Sequence, residues 1–341
     1  MNTTVGALIV GFDGHALSAA WRERLCHPAV SGVILFSRNF ASVDQLRELT
    51  AEIRALKNPR LLVTVDQEGG RVQRFKGPGL IPLPALAQIG RWFQSHPDRA
   101  RDLAYRHGRV MAAEMLALGI DLSWAPVLDL ARASRVIGDR ALAADPGTVS
   151  DLGAYYLAGM KDAGMAACGK HFPGHGSVEA DSHTEVVTDA RPRPALDEDL
   201  RPFADLAGRL AAVMMAHVCY PAVDDRPAGF SARWIGEELR QRLGFAGLVV
   251  SDDLDMAGAA PAGTLPRRLA TAFAAGCDLA LVCKPDSVIA VLEAASDVPS
   301  LPADALATLY GRPTLSMSEQ LLVPEFRAWR DSLKLLSQGE Q

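Results

Sequence analysis

No stretch of the 341 residues is basic enough to grip a nucleic-acid backbone. Lysine and arginine number 35 against 40 acidic residues, a formal charge of −5 with a pI near 5.9. No apolar run is long enough to span a membrane. The first one, within MNTTVGALIVGFDG, is short and lacks a positive lead, so no secretory signal is expected and the cytoplasm is the expected address. Cysteine is sparse: Cys26, Cys168, Cys219, Cys277 and Cys283 are scattered and odd in number, which favours buried free thiols in a reducing compartment over a disulfide framework. No repeat stronger than a βα unit is visible, and no low-complexity linker divides the chain. The dinucleotide fingerprint G-x-G-x-x-G does not follow the first apolar run, which continues into GFDGHAL.

What is present is a large apolar core, with 49% hydrophobic and 22% charged residues. Eight short apolar runs alternate with helical patterns: Val5–Asp13, Ser31–Arg38, Arg60–Asp66, Gly119–Pro126, Gly164–Phe172, Leu210–His217, Gly247–Asp253 and Cys277–Cys283. Near-continuous apolar strands separated by helices mark a parallel sheet buried on both faces. Helices are expected over Pro97–Leu118, Asp145–Gly164, Ala232–Leu243 and Leu265–Gly276, with Gly119, Gly244 and Gly276 as C-terminal stops. The fold expected is α/β: a slightly irregular (β/α)8 TIM barrel in one domain over residues 1–341, with an amphipathic helix at about 318–336 packed across the barrel. A doubly wound open sheet is the alternative, but its phosphate fingerprint is missing.

In a barrel the C-terminal ends of the strands aim side chains at one cleft. That face is expected to gather Arg38, Asp66, Asp121 or its neighbours, Lys170, His171, His217 and Asp252. The densest polar stretch is KHFPGHGSVEADSH, Lys170–His183. His171 and His175 have the i, i+4 spacing of a metal pair, but Pro173 and Gly174 lie between them and the H-E-x-x-H glutamate is absent. A phosphate loop would carry its lysine after the glycines, not before them. Asp181 stands two residues before His183, so its carboxylate can orient the imidazole; a solvated surface loop fits that pair equally well. His175 is read as a brace for the turn. In VVSDDLDM, Asp252 is the carboxylate that points inward, while Asp253 and Asp255 are expected to cap the following element. DQEGGRVQRF sets Asp66 near Arg71 and Arg74, a pairing suited to gripping hydroxyls or an acidic group. In RVIGDRAL, Arg135 and Arg140 serve the cleft or brace the loop through Asp139. These residues describe a barrel hydrolase or lyase for a polyhydroxylated substrate, with one inward carboxylate and one mobile acid/base group.

The ordered motifs GVILFSRNF, VDQEGGRVQRF, DLSWAPVLD, RVIGDR, KHFPGHG, DSH, MMAHVCYP and SDDLDM resemble the β-N-acetylglucosaminidases of glycoside hydrolase family 3 over nearly the whole chain. The resemblance implies retaining hydrolysis of terminal, non-reducing β-linked N-acetylglucosamine. Its expected substrates are cytoplasmic muropeptides, GlcNAc joined to 1,6-anhydro-N-acetylmuramic acid with or without peptide. It assigns Asp252 as nucleophile, His183 as general acid/base and Asp181 as its partner. Asp66, Arg74, Arg140, Lys170 and His171 are assigned to binding the sugar, with no metal and no cofactor. The chain resembles the short Gram-negative form, expected to work as a monomer without nucleic-acid or membrane partners. Two positions depart from the family pattern: Ala141–Leu142, where an aromatic residue is usual, and Lys284, where asparagine is common. The competing readings are a metal-dependent barrel hydrolase using His171, His175 and His183, and a catalytically idle barrel that only binds.

Overall fold

The computed structural model describes residues 3–179, 187–293 and 298–339. All eight expected strands are present: β1 Leu8–Val10, β2 Val30–Leu35, β3 Leu62–Val65, β4 Leu122–Ser123, β5 Cys168–Phe172, β6 Ala212–Met215, β7 Leu248–Asp253 and β8 Leu279–Val282. They pair in parallel in the order β4-β3-β2-β1-β8-β7-β6-β5. The remaining seam, between β4 and β5, is bridged just past β4, where Val127 pairs with Lys170 and the Leu128 N–H donates to the Lys170 carbonyl at 2.7 Å. The ladder is short there, and this is the irregularity of the (β/α)8 barrel.

Period-two alternation explains why the strands read as unbroken apolar runs. Ile9, Ile34, Leu62, Leu122, Met214, Val250 and Leu279 fill one core inside the barrel. Their neighbours Leu8, Val10, Val33, Val63, Val213, Val249 and Ala280 belong to a second core, shared with the helices. Each large side chain so withdrawn from water contributes on the order of 2 kcal/mol. The covering helices are α1 Ala19–Leu25, α2 Val43–Ala55, α3 Pro97–Ala117, α4 Pro146–Ala163, α5 Arg193–Leu206, α6 Arg233–Arg242, α7 Leu265–Ala275 and α8 Pro285–Glu293. Local chemistry fixes their ends: the Asp145 side chain accepts from Thr148 N–H at the start of α4, and Gly164 closes it at φ 94°. Cys26 is exposed at the end of α1, while the other four cysteines are buried; all five are free thiols.

Two helices differ from expectation. α6 is a π-helix, with Leu243 N–H donating to the Glu238 carbonyl. The widened turn brings Trp234 and Leu239, five residues apart, onto one buried face. The helix expected over 318–336 is two, Met317–Leu322 and α9 Pro324–Ser337, because Pro324 has no N–H and holds Val323 in an extended conformation. α9 packs on α3: Arg330 meets Glu114 at 3.0 Å, and Trp329 meets Tyr105 edge-on.

Asp121 is not at the C-terminal mouth. It stands one residue before β4, at the opposite end of the barrel, and only 1% of it is exposed. Its carboxylate accepts two 2.7 Å bonds from Arg60, one of 3.0 Å from Val63 N–H and one of 3.2 Å from Gly311 N–H. Removing one partner of such a buried pair strands the other. Asp121→Ala is therefore expected to cost about 3 kcal/mol in urea unfolding while leaving catalytic efficiency near wild type. A large loss of turnover in folded protein would return Asp121 to the functional face.

Candidate active site

At the C-terminal mouth, strand ends and loops enclose a cavity of about 600 Å³. Asp66, Arg74, Arg140, Lys170, His171 and Asp252 all line it, brought together from positions scattered over most of the chain. Asp66 follows β3. A two-residue turn at Gly70–Arg71 then folds Gln67–Gly69 back on Val72–Gln73, and glycine takes the positive φ of 98° at Gly69 and 54° at Gly70 with least strain. The hairpin returns Arg74 to within 3.6 Å of Asp66.

Lys170 and His171 lie on β5 just before its last residue, Phe172. The β5–β6 register slips here, with Met214 opposite Lys170 and Met215 opposite Phe172, so both adjacent residues reach the cavity despite strand alternation. The Lys170 ammonium, 2% exposed, lies 2.7 Å from Asp66 and 2.6 Å from Glu68. Glu68 in turn receives a bidentate grip from Arg140, at 2.7 and 2.8 Å. Burial alone would raise the Glu68 carboxyl and lower the two cations. The opposite charges outweigh it: Arg140 and Lys170 hold Glu68 well below the usual carboxylate range, and the carboxylates Asp66 and Glu68 hold Lys170 above its ordinary value.

His171 is fixed by Asp129, at the end of the segment that continues from β4. The Asp129 carboxylate is 2.7 Å from His171 Nδ1 and accepts from the backbone N–H groups of His171, at 3.2 Å, and His175, at 2.7 Å. Burial would raise this carboxyl as well, but His171 beside it lowers it below its ordinary value. The His175 backbone is therefore part of a braced turn, and burial holds its imidazole below the usual value. Among the described residues, no group of three or more His, Cys, Asp or Glu could hold a metal ion.

Asp252 stands half-buried on β7, its Oδ1 accepting from Asp253 N–H at 2.8 Å. Phe36, Met214, Met256 and Leu281 supply apolar wall. Asp253 and Asp255 do not cap a following element, as the sequence led us to expect. They grip the end of β8: Asp253 accepts from Cys283 N–H at 3.2 Å, and Asp255 from Cys283 and Lys284 N–H at 3.1 and 2.8 Å. Arg38 and His217 stand outside the cavity lining. Arg38 donates to the Phe12 and Cys283 carbonyls, and His217 is buried with its ring stacked on Phe230. Arg140 braces Glu68 and not Asp139, whose partner is Arg71 at 3.0 Å. Asp181 and His183 lie outside the described residues.

A carboxylate at the end of β7 facing a nest of hydroxyl-gripping charges is a glycosidase arrangement, and the family comparison decides it. Residues 4–308 match the model of the glycosyl hydrolase family 3 N-terminal domain. The chain belongs to glycosyl hydrolase family 3. Within it, a β-hexosaminidase of Alkalilimnicola ehrlichii is 51% identical over 334 residues, covering 97% of this chain and 95% of that one. A β-hexosaminidase of Thioalkalivibrio sulfidiphilus is 49% identical over 320 residues, 93% of this chain and 92% of that one. Among solved structures, NagZ from Neisseria gonorrhoeae in complex with N-trifluoroacetyl-D-glucosamine superposes with a TM-score of 0.91 at 39% identity, over 98% of both chains. The chain is thus a family 3 enzyme of the NagZ type.

For this family 3 site, sequence reasoning had passed over Glu68 and Asp129. Both lay inside quoted motifs, DQEGGRVQRF and DLSWAPVLD, and an acidic residue there was the available signal. Their partners become visible only in three dimensions. Ala141 and Leu142, which depart from the family pattern, are buried, and the Leu142 carbonyl packs where Gly90 has no side chain.

Asp253 offers a pH test. Burial, with Asp255 beside it, pushes its carboxyl up to about 7. Because the folded value lies above the unfolded one, this group's contribution to stability is complete below about pH 4 and lost as pH rises through 7. Asp253→Asn keeps the Oδ1 acceptor and removes the ionisation. Its urea midpoint should therefore fall less than that of wild type between about pH 4 and 7. Parallel pH curves for the two proteins would contradict the assignment.

Proposed function

We propose that this enzyme hydrolyses terminal, non-reducing β-linked N-acetylglucosamine by a retaining double displacement, with Asp252 as nucleophile. The observation that carries the reading is the convergence of Asp252, Asp66, Arg74, Arg140, Lys170 and His171 on one cavity of about 600 Å³. The cleft is lined mainly by converging charged groups beside a smaller apolar wall, which suits a ligand rich in hydroxyls.

Asp252 attacks the anomeric carbon as the glycosidic bond breaks, and His183 gives its proton to the leaving oxygen. The product is a covalent glycosyl-enzyme. His183, now neutral, takes a proton from water as that water displaces Asp252, and the second inversion restores the β configuration. An imidazole suits both roles because its unperturbed value lies near neutrality. Asp181 orients His183 and stabilises its charged form. Asp66, Lys170, His171, Arg74 and Arg140 hold the sugar and its N-acetyl group, and the bonds that the Asp66 carboxylate accepts strengthen as positive charge develops on the ring. Water is the only co-substrate, so the reaction balances without a cofactor.

On this reading the substrates are GlcNAc-1,6-anhydro-MurNAc and its peptides, released in peptidoglycan recycling. The enzyme acts in the cytoplasm as a monomer, with residues 1–341 as one catalytic domain. Two observations accord with that setting: all five thiols are free, and among the described residues no helix is long and apolar enough to cross a membrane.

Asp252→Ala is expected to lower kcat on an aryl β-GlcNAc by about 10⁴-fold. A 5-fluoro-GlcNAc donor should label Asp252 in peptide mapping, and a label on any other carboxylate would overturn the nucleophile assignment. His183→Ala is expected to spare glycosylation by an activated leaving group and slow deglycosylation, giving a burst of released phenol. Equal losses in both steps, whatever the leaving group, would remove His183 from the acid/base role.

A further inference from the structure

We propose that Glu68 is the central positioning residue of this site, a buried carboxylate that holds Lys170 and Arg140 ready for the sugar and fixes how many of their donors remain for it. The inference rests on the hydrolase reading above. It adds a residue to that reading which faces the cavity but acts through its neighbours.

Five charges alternate along the cavity wall in the order Arg74, Asp66, Lys170, Glu68, Arg140. They come from the β3 hairpin, from β5 and from the loop after β4, and Glu68 is the member that touches both buried cations. Only 3% of it is exposed. A buried ammonium or guanidinium without a counter-ion is costly and moves or discharges. Lys170 has three N–H donors; two are directed at Asp66 and Glu68, which leaves one for substrate. Arg140 has five, of which two go to Glu68 and one to the Val136 carbonyl, leaving two. Without Glu68 the count changes at both cations, and Asp66 becomes the sole carboxylate on Lys170. Asp66 would then be drawn from the sugar toward the lysine.

The test pairs Glu68→Gln, which removes charge but keeps shape, with Glu68→Asp, which keeps charge but shortens reach. Both are compared with wild type for kcat and KM on an aryl β-GlcNAc across the pH range, and for GlcNAc affinity by calorimetry. Glu68→Gln is expected to lose about 100-fold in kcat/KM. Its GlcNAc affinity, followed by calorimetry through the alkaline range, should fall off at lower pH than that of wild type, because Lys170 has lost one of the two carboxylates that hold its proton, while the alkaline limb of turnover belongs to His183. Glu68→Asp should lose about 10-fold, with weaker GlcNAc binding that falls off at the same pH as in wild type. A GlcNAc affinity that falls off at the wild-type pH in Glu68→Gln, or kcat/KM within about threefold of wild type, would overturn the proposal. Should the glutamine variant not fold, the aspartate variant decides: wild-type GlcNAc affinity and kcat/KM would refute a positioning role. Wild type in the same series separates this idea from the one it rests on. If wild type shows no turnover, the hydrolase reading fails; if wild type turns over and both variants match it, only the role of Glu68 fails.

Discussion

Cations buried at the mouth of a barrel must be neutralised before they can serve a substrate, and the arrangement of this site follows from that constraint. Lys170 is almost wholly enclosed, and in an apolar cavity its ammonium would lose its proton or pull away from the wall. Asp66 on one side and Glu68 on the other keep it charged, and Glu68 extends the hold to Arg140. The hairpin after β3, the strand β5 and the loop after β4 are thereby tied to one another by charge. The glycine turn after Glu68 and the register slip at the end of β5 serve this geometry, the first by returning Arg74 to Asp66, the second by letting adjacent residues share a face.

The histidine beside Lys170 is held differently. Asp129 accepts from one ring nitrogen and from two backbone N–H groups, so the carboxylate fixes the imidazole and the start of the following turn together. A ring bonded through Nδ1 has its Nε2 left to meet the cavity. Rigid sugar-holding groups on the barrel and an acid/base group further along the sequence divide the proposed chemistry between two pieces of chain.

Much of this could be read in the sequence, for reasons that differ from residue to residue. All eight strands announced themselves because barrel strands are apolar on both faces, and Asp66, Lys170, His171 and Asp252 stood out as charges at the ends of those runs. Asp121 misled because its strand is only two residues long, so a charge near the start of the run was read toward the wrong end. Pro324 was visible but its consequence was missed, since an amphipathic pattern continues on both sides of it. Glu68 and Asp129 escaped because a positioning residue is defined by its partners, and Arg140 is 72 residues from Glu68 along the chain. Periodicity reports burial; it does not report who meets whom.

The distribution of thiols has a practical side. Cys168, Cys219, Cys277 and Cys283 are enclosed, and burial pushes their thiols up, which makes them poor nucleophiles. Cys26 alone is exposed, at the end of α1 and just ahead of β2, on the side of the barrel opposite the cavity. The native chain therefore carries a single accessible handle for a maleimide dye or a surface tether, and a molecule anchored there would present its cleft to solution.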